Sequence, residues 1–164
     1  MTVRLEIRNE SGRKGLCRRD VLRRLAERIC SSESIRTPVD LSVLFCDDAF
    51  IRKLNRTYRN VDRPTDVLAF SQEDVPQAGP THRVLGDLVI SLQTVERRCR
   101  GDAKRMREEI RLLFCHGLLH LLGYTHSSAA ERKVMNTRQA ELLGIPFESA
   151  WHAAPERTLR RRRE

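Results

Sequence analysis

The sequence predicts an α+β protein: a small mixed β-sheet packed against helices, with one helix buried at the centre. Three observations carry this. Strand-like and helix-like segments intermix along 164 residues, most simply one domain with a real core. Leu112, Leu113, Phe114, Leu118, Leu119, Leu121 and Leu122 make one helical segment apolar nearly all round, the pattern of an interior helix. The strand segments are few; one alternates and another is almost continuously apolar, so they differ in exposure.

Taken in order, Val3, Leu5 and Ile7 alternate with Arg4, Glu6 and Arg8, a half-exposed strand. Asp20 is placed to cap a helix whose apolar face is Val21, Leu22, Leu25, Ala26 and Ile29. Arg18, Arg19, Arg23, Arg24 and Arg28 around it read as a solvated face, with phosphate contact as the alternative. Residues 31–38 form a loop, and the apolar run at 41–46 is an inner strand. Asp47 or Asp48 caps a second helix with Phe50, Ile51, Leu54 and Tyr58 facing inward. Pro64 closes that element, because the residue before a proline disfavours helix.

Residues 66–70 read as a short strand, and 71–83, with Pro76, Gly79 and Pro80, as a loop. Residues 84–91 form another strand, interrupted at Gly86, where a bulge or a close backbone approach is expected. A helix over 92–100 gives way at Gly101 and Asp102 to the central helix, charged in its first turns and apolar in its last. Ser128 and Glu131 form a capping box for a final helix with Val134, Met135 and Leu142, stopped by Gly144 and Pro146. The domain thus covers residues 1–151, and 152–164 read as a disordered basic tail.

Composition narrows the setting. The N-terminus is charged and lacks the apolar core of a signal peptide, and the longest apolar run is too short and too histidine-interrupted to span a bilayer. Five cysteines form no C-x-x-C pair and no even framework, which favours a reduced, cytoplasmic protein. Of the net charge of +9, the tail carries +3 (five arginines, two glutamates) and the body +6. A basic body favours polyanionic partners, nucleic acid above all. The alternative is that 27 arginines against 4 lysines reflect genome composition. With eight aromatics, a broad base-stacking sheet is not expected.

The chemistry concentrates in residues 115–126, C-H-G-L-L-H-L-L-G-Y-T-H. His116 and His120, four residues apart on a helix, stand about 40° apart on one face and about 6 Å apart along the axis. Gly123 is a natural helix end, and His126 follows three residues later. Three histidines leave a tetrahedral zinc with one open position, the arrangement of a catalytic site. A histidine pair at this spacing is as often plain helix surface, and hydrogen bonds to the backbone can satisfy buried imidazoles. The third histidine and the apolar surroundings favour the metal. Metalloprotease helices read H-E-x-x-H, with glutamate as general base, but Gly117 stands in that place. Cys115 is about 100° round the helix from His116, too far to close the site as a fourth ligand. Asp66 and Asp87 can orient a histidine or a water, although the reading as ordinary strand-end acids is slightly preferred.

Three motifs in order carry a resemblance: N-x-x-Y-R from Asn55 followed by P-T-D-V-L-x-F from Pro64; L-G-D from Leu85; and H-G-x-L-H-L-x-G-Y-x-H from His116. On these the chain resembles the YbeY family of endoribonucleases, also called rRNA maturation factors. The resemblance implies an α+β domain holding zinc on His116, His120 and His126. It implies hydrolysis of single-stranded RNA, maturation of the small-subunit ribosomal RNA 3′ end and a part in ribosome quality control. The expected partners are ribosomal RNA and the small ribosomal subunit, with no membrane. Arg59 matches the family's arginine after the tyrosine and is expected to contact phosphate or the transition state. Thr125 stands where the family often has aspartate, and Ala69 and Ser71 replace the usual serine and proline around Phe70. The competing functions are a zinc peptidase-like hydrolase, which needs a base from outside the helix, and a non-enzymatic ribosome-assembly factor with a bracing zinc.

The tail has no apolar periodicity to bury. Truncation after Trp151 is therefore expected to leave fold and metal content intact. RNA binding should weaken modestly and lose part of its salt dependence, because fewer phosphate contacts release fewer counterions. Circular dichroism and a salt titration of RNA binding check this; a truncated protein that unfolds would show that the tail is packed.

Overall fold

The computed structural model describes residues 2–72 and 83–151. The loop around Pro76, Gly79 and Pro80 and the basic tail expected from the sequence lie outside the described residues. The chain divides into two compact units, Met1–Tyr124 and Thr125–Glu164.

The first unit holds β1 (Val3–Asn9), α1 (Arg19–Ser32), β2 (Val39–Cys46), α2 (Asp48–Arg59), β3 (Val67–Ser71), β4 (Arg83–Ser91), α3 (Leu92–Arg98) and α4 (Ala103–Leu121). The strands form one mixed sheet in the order β1-β2-β4-β3. β1 with β2 and β2 with β4 are parallel, and β3 with β4 is antiparallel. The architecture is α+β as predicted, and β2 is an inner strand.

Alternation along the strands divides the core between two faces. On one, Cys46, Leu68 and Val89, flanked by Leu44 and Phe70, meet Ile51 and Leu54 of α2. The other face carries Leu88 and Val67, which lie against α4 at Gly117. Met106, Phe114, Leu118 and Leu119 of α4 are fully buried. Each such side chain contributes about 1.5–3 kcal/mol by leaving water. α4 also packs against α1 and α3. The predicted buried central helix is therefore present.

Two glycines permit this packing. A Cβ on Gly117 would stand 2.8 Å from Leu88 Cδ2 and 3.4 Å from Val67 Cγ2, so a larger residue there would have to displace Leu88. Gly86 has φ +142° and sits at a register shift where Asp40 opposes Val84 and Leu41 opposes Gly86. This is the expected bulge and also the expected close approach, since a Cβ there would lie 2.1 Å from the Phe70 carbonyl oxygen.

Local details depart from the sequence reading in several places. The N-cap of α1 is Arg18 and not Asp20. Asp20 sits inside the first turn, where it takes ion pairs from Arg18 at 2.9 Å and Arg24 at 2.7 Å and complements the helix dipole. Asp47, rather than Asp48, caps α2 by accepting from the Phe50 amide at 2.9 Å. Asp48 instead accepts from Ser91 Oγ, Thr94 Oγ1 and Arg97. Burial acts to raise its pKa, but these bonds outweigh burial and hold the carboxyl below its usual range. Phe50 and Tyr58 do not face inward: they are 37% and 65% exposed, and only Ile51 and Leu54 reach the core.

The second unit holds α5 (Ala129–Leu143) and a short 3-10 turn at Phe147–Ser149. Ser128 caps α5 by accepting from the Glu131 amide at 3.1 Å, and Gly144 ends it in the left-handed conformation at φ 65°. The chain then folds back, with Asn136 donating to the Phe147 carbonyl and Gln139 to that of Ala150. Met135 and Leu142 are buried as predicted, whereas Val134 is exposed.

Gly86→Ala combines a forbidden φ with a backbone collision that no side-chain rotation relieves. Its expected cost is about 3 kcal/mol or more, read as a lower urea midpoint at unchanged m value.

Candidate metal centre

The last turns of α4 build the site. His116 and His120 share a face, and their Nε2 atoms lie 3.0 Å apart. Their rings are nearly perpendicular, at 79°, with centroids 4.6 Å apart. The helix then ends in a Schellman motif: the Gly123 amide donates to the His120 carbonyl at 3.0 Å and the Tyr124 amide to that of Leu119 at 3.0 Å. Gly123 supplies the positive φ this requires, +100°.

That cap also orients a ligand. The Tyr124 carbonyl oxygen lies 2.9 Å from His120 Nδ1. A carbonyl can only accept, so Nδ1 carries the hydrogen, and in the neutral ring Nε2 keeps its lone pair for a cation. Tyr124 is held in turn by its hydroxyl, which donates to the Glu33 carboxylate at 2.9 and 3.1 Å. Neither link was read from the sequence. The cap was signalled by Gly123, but nothing local marks Glu33 as the partner of Tyr124.

The ligand nitrogens of His116, His120 and His126 all lie within 4.8 Å of one another, and all three residues are half-buried. Nitrogens on a tetrahedral zinc stand about 3.3 Å apart, given Zn–N bonds of about 2.0–2.1 Å. The donor set fits such an ion in number and chemistry.

His126 sits in a short loop tied to the start of α5. Glu131 accepts from the Ser127 amide at 2.9 Å. Hydrogen bonds from Thr125 first, and from Ser127 and the backbone of Ser127 and Ser128, hold the Glu131 carboxyl below its usual pKa against a small opposing effect of burial. One carboxylate thus grips the residues on both sides of His126. The capping-box pattern pointed to Glu131, but as a helix cap alone. The Trp151 ring stands edge-on to His126, with centroids 5.4 Å apart.

Other expected site residues fall elsewhere. Among the described residues, Cys115 is outside the ligand group, and it is fully buried. Asp66 accepts from Arg98 at 3.1 Å, and Arg98 also donates to Glu109 at 2.6 Å, bridging the start of β3 to α4. Burial opposes the Arg98 charge, yet the two carboxylates more than offset it and raise its pKa. Asp87 is paired with Phe70 on the α2 face of the sheet and accepts from Ser42 Oγ and Gln72 Nε2. Neither aspartate bonds a histidine among the described residues. Arg59 is the last residue of α2, and it is exposed.

Together, the fold and the three neighbouring imidazoles define a small α+β protein with a histidine group that could hold a metal ion. The model of the family described as endoribonuclease YbeY matches residues 6–145, and the chain belongs to that family. It is 44% identical over 126 residues to an endoribonuclease YbeY of Pelotomaculum thermopropionicum, covering 76% of this chain and 83% of that protein. A second, from Methylocella silvestris, is 41% identical over 115 residues, covering 69% of this chain and 62% of that protein. The solution structure of a Thermotoga maritima protein superimposes with a TM-score of 0.53 at 27% identity, covering 86% of this chain and 90% of that one.

His120→Ala removes the middle ligand and is expected to abolish most metal occupancy, from about one ion per chain in the parent protein. Elemental analysis after reconstitution reads this directly; parent-like content in the variant would mean the ligands are misassigned. Glu131→Ala, which frees the loop around His126, should weaken metal affinity by about tenfold or more, as measured by chelator competition.

Proposed function

We propose that the protein is a zinc-dependent endoribonuclease that hydrolyses phosphodiester bonds of single-stranded RNA. The observation that carries this reading is the grouping of His116, His120 and His126 in a chain of the YbeY family. Its expected setting is the cytoplasm, where it would mature the 3′ end of small-subunit ribosomal RNA and act in ribosome quality control on the small ribosomal subunit. No helix among the described residues is long and apolar enough to cross a membrane, in keeping with that setting. Residues 1–151 would act as one catalytic domain, a reading supported by the unbroken family match over 6–145. The net charge of +9 suits a polyanionic substrate.

His116, His120 and His126 would hold the zinc. Such an ion, on three neutral ligands, supplies Lewis acidity and lowers the pKa of water at the open position. The protein's part is to aim the ligands: the Tyr124 carbonyl holds the hydrogen on Nδ1 of His120, and Glu131 steadies the loop of His126. Arg59 is assigned to the substrate phosphate. Its guanidinium has no ion-pair or hydrogen-bond partner among the described residues, so its charge is available. A guanidinium can contact two non-bridging oxygens at once as negative charge builds on them.

The peptidase alternative loses support at Gly117. Glycine stands where H-E-x-x-H has its general base, and a Cβ there would lie 2.8 Å from Leu88 Cδ2, so a glutamate would require that side chain to move.

The test incubates metal-loaded protein with a single-stranded RNA, an RNA duplex and casein, with and without chelator. Cleavage of the single strand alone, lost with chelator, is expected; casein cleavage or no cleavage would overturn the proposal. Arg59→Ala and Arg59→Lys should both keep full zinc content and near-parent stability while losing about a hundredfold or more of RNA cleavage, since lysine lacks the fork. Unchanged cleavage by Arg59→Ala, with zinc confirmed, would strip Arg59 of its role.

A further inference from the structure

We propose that the C-terminal end of α2 is a docking surface for single-stranded RNA, on which Tyr58 stacks an unpaired base and Arg56 holds a neighbouring phosphate. The inference rests on the nuclease reading and adds to it where the strand lies outside the metal centre.

Tyr58 lies in the last turn of α2. It continues the inward stripe of α2 from Ile51 and Leu54, but it stands one turn beyond them. There Tyr58 meets the ring of Phe70 on the edge strand β3. The two rings meet edge-on at 69°, with centroids 5.2 Å apart. An edge contact fixes a ring without covering both of its faces, and Tyr58 remains 65% exposed. Phe70 thus acts as a rest that holds an aromatic plane out to solvent. The chain's other tyrosine, Tyr124, is half-buried and tied to Glu33.

The end of α2 is also strongly basic. Between Phe50 and Arg63 stand five basic residues (Arg52, Lys53, Arg56, Arg59, Arg63) against one acid, Asp62. Asp62 is held by Arg52 at 2.9 Å, which leaves the excess positive. Arg56 and Arg59 lie three residues apart and therefore share a face of the last turn, with Tyr58 between them in sequence. Both are exposed. An exposed aromatic plane flanked by arginines is the chemistry that binds single strands, because every base has a π-face and every nucleotide a phosphate. A duplex keeps its bases stacked on one another and offers none to the ring. The same surface with an acidic peptide as partner would use the arginines but leave the tyrosine without a role.

The test uses the full-length holoprotein and fluorescence anisotropy with a labelled, 2′-O-methylated oligouridine single strand and a blunt RNA duplex. Tyr58→Ala and Tyr58→Leu should each weaken single-strand binding by about tenfold, while Tyr58→Trp stays within about twofold of the parent. The slope of log affinity against log salt should be unchanged in these variants, and should fall by about 0.7 in Arg56→Gln. Duplex binding should be unaffected by Tyr58→Leu. Tyr58→Leu keeps apolar cover over Phe70, so a loss there that Tyr58→Trp does not share reports stacking and not folding. Parent-like single-strand binding by Tyr58→Leu, an equal loss on the duplex, or competition by polyglutamate as strong as by RNA would each overturn the docking surface alone. Parent protein that neither binds nor cleaves the single strand would overturn the nuclease reading, and the docking surface with it.

Discussion

The closeness of α4 to the sheet at Gly117 sets the conditions for the rest of the first unit. A helix separated from Leu88 and Val67 by even one methyl group would have to shift, and interiors packed to crystal-like density absorb such shifts poorly. With hydrogen alone at that point, Phe114, Leu118 and Leu119 seat fully in the core. The same seating leaves His116 and His120 half-buried. The glycine between the two histidines thus serves the packing, since a larger residue there would have to displace Leu88.

The ends of elements supply the orientation that the helix alone does not. At the C-terminus of α4, one Schellman turn meets two needs: it satisfies the last carbonyls of the helix, and it brings the Tyr124 carbonyl back onto His120 Nδ1. At the N-terminus of α5, Glu131 takes hydrogen bonds from residues on both sides of His126. A histidine aimed by its second nitrogen or by a braced loop loses less freedom on binding a metal than one on a loose side chain. Thr125 takes part through its contact with Glu131.

Charged groups divide between internal braces and an outward surface. Arg98 is spent on Asp66 and Glu109, clamping the start of β3 to the helix that bears the histidines. Asp48 gathers Ser91, Thr94 and Arg97. Such half-buried partners organise the fold more than they add net stability, because desolvation consumes much of their attraction. The arginines at the end of α2 are exposed and have one local acid among them, and a field of that kind serves association with a polyanion.

Sequence alone determined the elements, the identity of the buried helix, the bulge at Gly86 and the three histidines, because each is written in local spacing: periods of two or 3.6, a glycine stop, an i, i+4 pair. The family was legible for the same reason, since its motifs are contiguous. Caps were legible only in part: Asp20 and Asp48 have the right chemistry for a cap but are used within the first helical turn, where nearby arginines or Thr94 and Ser91 compete for them. Tertiary structure alone decided that Tyr58 overhangs the sheet edge, that Asp87 lies on the α2 face, that Arg98 bridges two carboxylates, and that Glu33 holds Tyr124. Those facts depend on which segments meet in space, and a residue 91 positions away leaves no periodic mark on its partner's neighbourhood.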